Sequence, residues 1–142
     1  MIGDQWISFE VGEETYVHPV DEIKEIIPYA DPVPVPGSPR VTEGILNVRG
    51  SVVAVLSSRV LFGFESAGSL DKGRIIIFEM GKDQFGVSVD SVGDIVNFQS
   101  NQVEWSDQGG QFSLVKGTCH LNDQLYILAD FSSCSDLYSG IS

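Results

Sequence analysis

The chain repeats itself. Displaced by 69 positions, residues 7–27 lie on 76–96 without a gap. Ile7 meets Ile76, Phe9 meets Phe78, Glu10 meets Glu79 and Gly12 meets Gly81. Tyr16 then meets Phe85, Val20 meets Val89, Asp21 meets Asp90, Ile23 meets Val92 and Glu25 meets Asp94. A displacement of 73 puts Gly44 on Gly117, Val48 on Leu121, Val52 on Leu125 and Val55 on Leu128, with the turn Arg49–Gly50 on Asn122–Asp123. Alternation alone reproduces the apolar matches, but matched glycines and acids are harder to obtain that way. The order of matches predicts two related halves of about 65 residues each. Each half is marginal alone, so the pair has to bury a common interface.

Both halves read as strands. Trp6–Ile7–Ser8–Phe9–Glu10–Val11 alternates apolar and polar residues, and Gly12–Glu13–Glu14 turns the chain into a second extended segment, which predicts a hairpin over 5–18. Ile45 to Val48, Val52 to Leu56, Ile75 to Met80, Phe85 to Val89, Val115 to Leu121 and Leu125 to Ala129 are further strands, separated by turn residues such as Arg49–Gly50–Ser51 and Gly81–Lys82–Asp83. Short helical turns fit at Val20 to Ile23, Ser58 to Phe62 and Ser133 to Tyr138. The predicted class is all-β with short helical segments, and closure into small barrels removes exposed edges. All six prolines fall between Pro19 and Pro39. Residues 28–39 therefore form an extended strap over a sheet edge, unable to join the middle of a sheet. Residues 65–74 and 99–113 read as loops.

Composition narrows the function. Twenty acidic residues against eight basic ones give a net charge of −12. That balance argues against nucleic acid, which demands clustered Lys and Arg, and against an anionic membrane surface. Apolar runs such as Val52 to Leu56 are far too short to span a bilayer. Met1–Ile2–Gly3–Asp4 carries no basic and apolar leader pattern, and Cys119 and Cys134 are too few for a disulfide framework. The expected location is the cytoplasm.

Catalytic groups are sparse. His18 and His120 are the two histidines, and neither has zinc-like spacing with a cysteine, so no metal or cofactor is expected. Cys119 and His120 are adjacent on a strand and point to opposite faces, which argues against a dyad. His18 precedes Pro19 and reads as a solvent-facing or capping residue. Acidic residues are dispersed, as on a solvated surface, and phosphate-loop and dinucleotide fingerprints are absent. An enzyme is not expected. One polar group stands out: Gly44–Ile45–Leu46–Asn47–Val48–Arg49–Gly50 sets an arginine on a tight turn. A guanidinium there serves as a protein-contact anchor, as an internal salt bridge, or as both.

Three ordered strings carry a resemblance: Gly44 to Leu56; Phe85–Gly86–Val87–Ser88–Val89–Asp90–Ser91–Val92–Gly93–Asp94–Ile95; and Lys116–Gly117 followed by Leu125 to Asp130. Over residues 5–138 the chain resembles the CheW-like family of bacterial chemotaxis adaptors. The resemblance implies two five-stranded SH3-like β-barrels packed on a shared core. It implies one domain over 1–142, made of two interleaved subdomains (roughly 15–70 and 80–125) that share chain ends and crossing strands. It further implies non-enzymatic coupling of a chemoreceptor's cytoplasmic tip to the regulatory domain of a CheA-type histidine kinase. Receptor contact carries over to Ile23, Glu25, Asn47, Arg49 and Gly50, and the second-half motif adds Val89, Asp90 and Val92. Kinase contact in the family uses exposed apolar residues at barrel ends, which no motif places here.

One departure matters. Family members usually read Pro-Val-x-Asp-Leu-Arg after the Arg–Gly turn, whereas this chain reads Ala54–Val55–Leu56–Ser57–Ser58–Arg59. The repeat puts Ser57 on Asp130, so the second half keeps a carboxylate that the first lacks. Its loss is expected to loosen the structure beside Arg59 or to alter a partner surface. A diverged adaptor or competitor in a pilus-type or other specialised pathway is the alternative reading. A small acidic β-barrel ligand binder is the other.

Overall fold

A computed structural model of the chain describes residues 5–64, 73–106 and 114–134. The first half supplies β1 (Gln5–Val11), β2 (Glu14–Pro19), β3 (Ile23–Pro28), β4 (Thr42–Val48), β5 (Ser51–Ser57) and a one-turn helix α1 (Ser58–Leu61). The second supplies β6 (Arg74–Met80), β7 (Asp83–Val89), β8 (Ser91–Asn97), a two-residue β9 (Glu104–Trp105), β10 (Val115–Leu121) and β11 (Gln124–Ala129). Single 3-10 turns occupy Val20–Glu22, Ser100–Gln102 and Phe131–Cys134. The helical turn expected from Ser133 thus begins two residues earlier, and its continuation to Tyr138 lies outside the described residues, as do 65–72 and 107–113 of the two loops.

The sequence repeat is a structural repeat. The two-residue turns match in backbone as well as position: Arg49 and Asn122 have φ of 50° and 52°, Gly50 and Asp123 of 87° and 66°. Two consecutive positive φ values twist a hairpin in the same sense as its strands.

The halves interlock rather than sit side by side. One sheet runs β3-β6-β7-β5-β4 and the other β8-β1-β2-β11-β10-β9. Each therefore inserts a hairpin of one half between the third strand and the last hairpin of the other half. The two joins are parallel, Ala54 to Ser57 of β5 on Phe85 to Ser88 of β7, and Tyr16–Val17 of β2 on Ile127–Leu128 of β11. The second sheet carries β9 as a sixth strand beyond the expected five.

Packing follows that scheme. Phe9, Tyr16, Leu56, Phe78, Phe85 and Phe131 form a core common to both halves, which is the interface the repeat requires. Smaller clusters fill the individual sheets: Val53, Val55, Ile75 and Ile77 in one, and Trp6, Val17, Phe98 and Leu128 in the other.

The proline strap covers an edge, as expected. Val33 and Ile45 exchange both backbone hydrogen bonds at 2.9 Å, capping the open side of β4. Gly44 lets it approach, because a Cβ there would stand 2.3 Å from the Val33 carbonyl oxygen. Its repeat mate Gly117 does the same for β9, with the Glu104 carbonyl oxygen 2.6 Å from a Cβ. The matched glycines are matched because each half has its outer strand crossed at close range.

Candidate functional site

The Arg49 turn closes on β3. Arg49 Nε donates to Glu25 Oε2 at 2.9 Å and to Oε1 at 3.3 Å. The turn is braced from below, since the Gly50 amide donates to Asn47 Oδ1 at 3.0 Å. Glu25 is the half-buried member, its side chain 20% exposed, while Arg49 is 78% exposed. A half-buried carboxylate thus aims a guanidinium into solvent, and its hydrogen bond raises the arginine's pKa further. Four sequence-predicted residues, Glu25, Asn47, Arg49 and Gly50, meet here. Ile23 lies two residues from Glu25 on the same strand, half-buried against the common core.

The second-half residues do not join them. Val89 is fully buried in the common core. Val92 packs against that core and faces Phe9 across the β1–β8 ladder. Val89 thus stands within the core, while Val92 keeps a half-buried position at its edge, as Ile23 does. Asp90 is committed elsewhere: its carboxylate takes Arg59 Nε at 2.9 Å, Arg59 Nη2 at 2.6 Å and the Gly12 amide at 2.8 Å. It ties α1 and the first hairpin to the second half.

That contact also answers the missing carboxylate. Arg59 finds its acid in the other half. Ser57 takes over the remaining role, since its hydroxyl accepts from the Val60 amide at 3.3 Å and caps α1. Its repeat mate Asp130 likewise accepts from the Ser132 amide at 2.9 Å. The residues fit at their backbones too, Ser57 on Val41 at 2.8 Å and Asp130 on Leu114 at 2.9 Å.

For His18 the solvent-facing alternative is corrected, and a capping contact is what the structure shows. Its exposure is 0%, and its ring lies between Phe131 and Phe78. Nε2 accepts the Phe131 amide at 3.1 Å, which leaves the ring proton on Nδ1 to be donated to the Pro19 carbonyl at 3.0 Å. Burial lowers its pKa, against the opposing pull of the Pro19 carbonyl and Asp130. The ligating atoms of His18, Glu22 and Asp130 lie within 4.8 Å of one another, but the imidazole lone pair a cation needs is already engaged. Cys134 is fully buried, and desolvation pushes its thiol up to about 12, which makes it inert. Cys119 is buried and His120 exposed, on opposite faces as expected. A surface cleft is lined, among the described residues, by Gly12, Glu13, Glu14, Arg59 and Phe64, and its arginine is bound to Asp90.

Sequence reasoning missed one feature. Ile26 and Val52 are exposed large apolar residues, and so are Ile95 and Leu125, which the repeat places on them. Each half therefore presents the same apolar pair at corresponding positions. The signal was available in the matched registers, but matched apolar positions read first as core. Among the described residues, no helix is long and apolar enough to cross a membrane.

Known proteins resemble this one throughout. The chain is 30% identical over 128 residues to the chemotaxis protein CheW of Thermotoga maritima, covering 87% of this chain and 82% of that protein. It is 28% identical over 109 residues to the chemotaxis protein CheW of Bacillus subtilis, covering 77% and 70%. The match to the Klebsiella aerogenes CheW is 24% identical over 102 residues and spans 72% of this chain but 61% of that longer relative. Among solved structures, the scaffolding protein TtCheW of Thermoanaerobacter tengcongensis superposes with a TM-score of 0.82 at 25% identity, covering 90% of this chain and 89% of the other. The family model for the CheW-like domain matches residues 5–137, and the chain belongs to that family.

Proposed function

We propose that the protein is a non-enzymatic adaptor of a cytoplasmic chemosensory array, joining chemoreceptor tips to a CheA-type histidine kinase. The observation that carries this reading is the Arg49–Glu25 pair. A guanidinium held by a half-buried carboxylate, on a turn braced by Asn47, presents a fixed donor fork on an acidic protein. Such a group sets the register of a docked receptor helix, with Ile23 offering apolar surface beside it. We assign contact with a kinase domain to the exposed apolar residues at repeat-related positions, Ile26 and Val52 in one half and Ile95 and Leu125 in the other. The whole chain acts as one interleaved unit in this role, since neither half keeps a complete sheet alone.

The test is Arg49→Glu, assayed by pulldown on a purified receptor cytoplasmic fragment. The charge reversal repels Glu25 at an exposed site, so circular dichroism and melting temperature stay near wild type while receptor capture is lost. Undiminished capture would remove Arg49 from the interface and with it the basis of this reading.

A further inference from the structure

A backbone N–H donates only to an unprotonated ring nitrogen. The Phe131 amide therefore reads the protonation state of His18 directly, at 3.1 Å from Nε2. The same nitrogen stands 3.9 Å from Asp130 Oδ1, and Glu22 completes the group within 4.8 Å. Both carboxylates lie on elements that follow a strand end, Glu22 in the turn after β2 and Asp130 after β11. β2 and β11 are the strands joined in parallel where the two halves meet.

We propose that His18 is a proton-operated latch at that join. One proton added to Nε2 abolishes the bond from the Phe131 amide and makes the nitrogen a donor toward Asp130. Phe131 is thereby released at its backbone, and its ring is part of the common core, in contact with Phe9, Phe62 and Phe78. The groups facing the imidazole are few and decide the balance. The Pro19 carbonyl and Asp130 favour the imidazolium, and the Glu22 carboxylate, with Asp21 beside it, stands within 4.8 Å of the ring nitrogen. Burial against Phe78 and Phe131 opposes the imidazolium, and the Cys134 thiol near Asp130 stays neutral. The latch is one-sided. At the matching join of β5 with β7, the repeat puts Val87 in the place of His18 and Ser58 in the place of Phe131, and neither titrates. Acid is thus directed at one of the two joins.

The experiment is a proton–nitrogen NMR titration of the full chain from near neutral pH into mild acid, following the Phe131 amide and the His18 ring. Both move together, with a midpoint below the ordinary histidine value of about 6.5. As pH falls toward the midpoint, protection of the Phe131 amide, corrected for intrinsic exchange, falls about tenfold per pH unit and levels off below it, as one coupled proton requires. Amides of Val55 and Ile75 in the other sheet keep their protection. In His18→Gln the amide side chain still accepts from Phe131 but cannot titrate, so the Phe131 response disappears. In Asp130→Asn, a half-exposed change that leaves the core intact, the midpoint falls further. A Phe131 amide unmoved while His18 titrates would overturn the latch. So would simultaneous loss of protection at Val55 and Ile75, which is global unfolding. Should His18→Gln not fold, equal midpoints in wild type and Asp130→Asn would overturn it as well.

Discussion

Arg59 and Asp90 face each other across the boundary between the two halves, fork to fork, with Nε–Oδ1 at 2.9 Å and Nη2–Oδ2 at 2.6 Å. The side chains are 24% and 21% exposed, so the pair is shielded enough to matter yet partly screened by water. Removing one partner of a fully buried pair costs about 3–5 kcal/mol, and the partial exposure here lowers the expectation for Arg59→Ala to about 2 kcal/mol. Asp90→Asn keeps an oxygen for the Gly12 amide and costs less. Urea unfolding of both single variants and the double variant gives the coupling, expected at about 1 kcal/mol or more. Additive effects would show that the pair does not hold the halves together.

Much of this fold is legible in the sequence, and the reasons differ by residue. The strands and the Arg49–Gly50 turn follow from period-two patterning and from the repeat, whose second copy carries the same positive φ values on Asn122–Asp123. The exchange of hairpins is not legible, because β1–β2 and β6–β7 have nearly the same pattern and either could pair in either sheet. His18 escaped for a related reason. β2 lies inside its sheet between two cores, Tyr16 turned to the common one and Val17 to the smaller one. A strand buried on both faces loses the alternation that would have flagged an inward histidine. Asp90 was found as a motif residue, but its partner Arg59 lies 31 residues away in the other half, and no local pattern reports such a contact.

Close approach makes the strap glycines far less replaceable than the turn glycine. Gly50 has open space around it and needs only its φ of 87°, so Gly50→Ala costs about 1 kcal/mol of backbone strain. Gly44 has a φ of 150° and the Val33 carbonyl where a Cβ would go. Gly44→Ala must push the strap off β4 and break both bonds between Val33 and Ile45, for a loss of about 3 kcal/mol. Denaturation midpoints compare the two directly. Equal losses would mean that the strap contributes nothing.

Stability should fall away on both sides of neutrality. The folded chain holds His18 neutral with a lowered pKa, whereas the unfolded chain takes up the proton near pH 6.5. That contribution is complete above the unfolded value and is lost as pH falls through the folded one. Tyr16 behaves oppositely. Burial first, and then its bond to Glu14 at 2.9 Å, hold the phenol protonated well above the usual tyrosine range. Tyr29 is raised in the same way by burial and by Glu43. Their contribution is complete below about pH 10, the unfolded value, and is lost as pH climbs through the folded values. Urea midpoints against pH are expected to form a plateau with an acid edge that disappears in His18→Gln. An acid edge unchanged by that substitution would assign it to the carboxylates instead.

Ser57 and Asp130 occupy one position in two copies of the same module and perform the same task with different oxygens. Each accepts an amide at the start of the short helical turn that follows the last strand of its half. What that position requires is an acceptor, not a charge, because the carboxylate that Arg59 needs arrives from Asp90. Ser57→Ala removes the acceptor and is expected to cost about 1 kcal/mol, within the usual range for losing such a cap. Ser57→Asp restores the residue usual in the family and keeps the cap, although at 3% exposure it places a second carboxylate under cover while Arg59 is already paired with Asp90. Its stability is therefore expected to stay below that of wild type, and Ser57→Thr to exceed Ser57→Ala. Urea unfolding of the three variants checks the order. A fully stable Ser57→Ala would show that α1 is held by its packing alone and that the exchange of Asp for Ser carries no structural meaning.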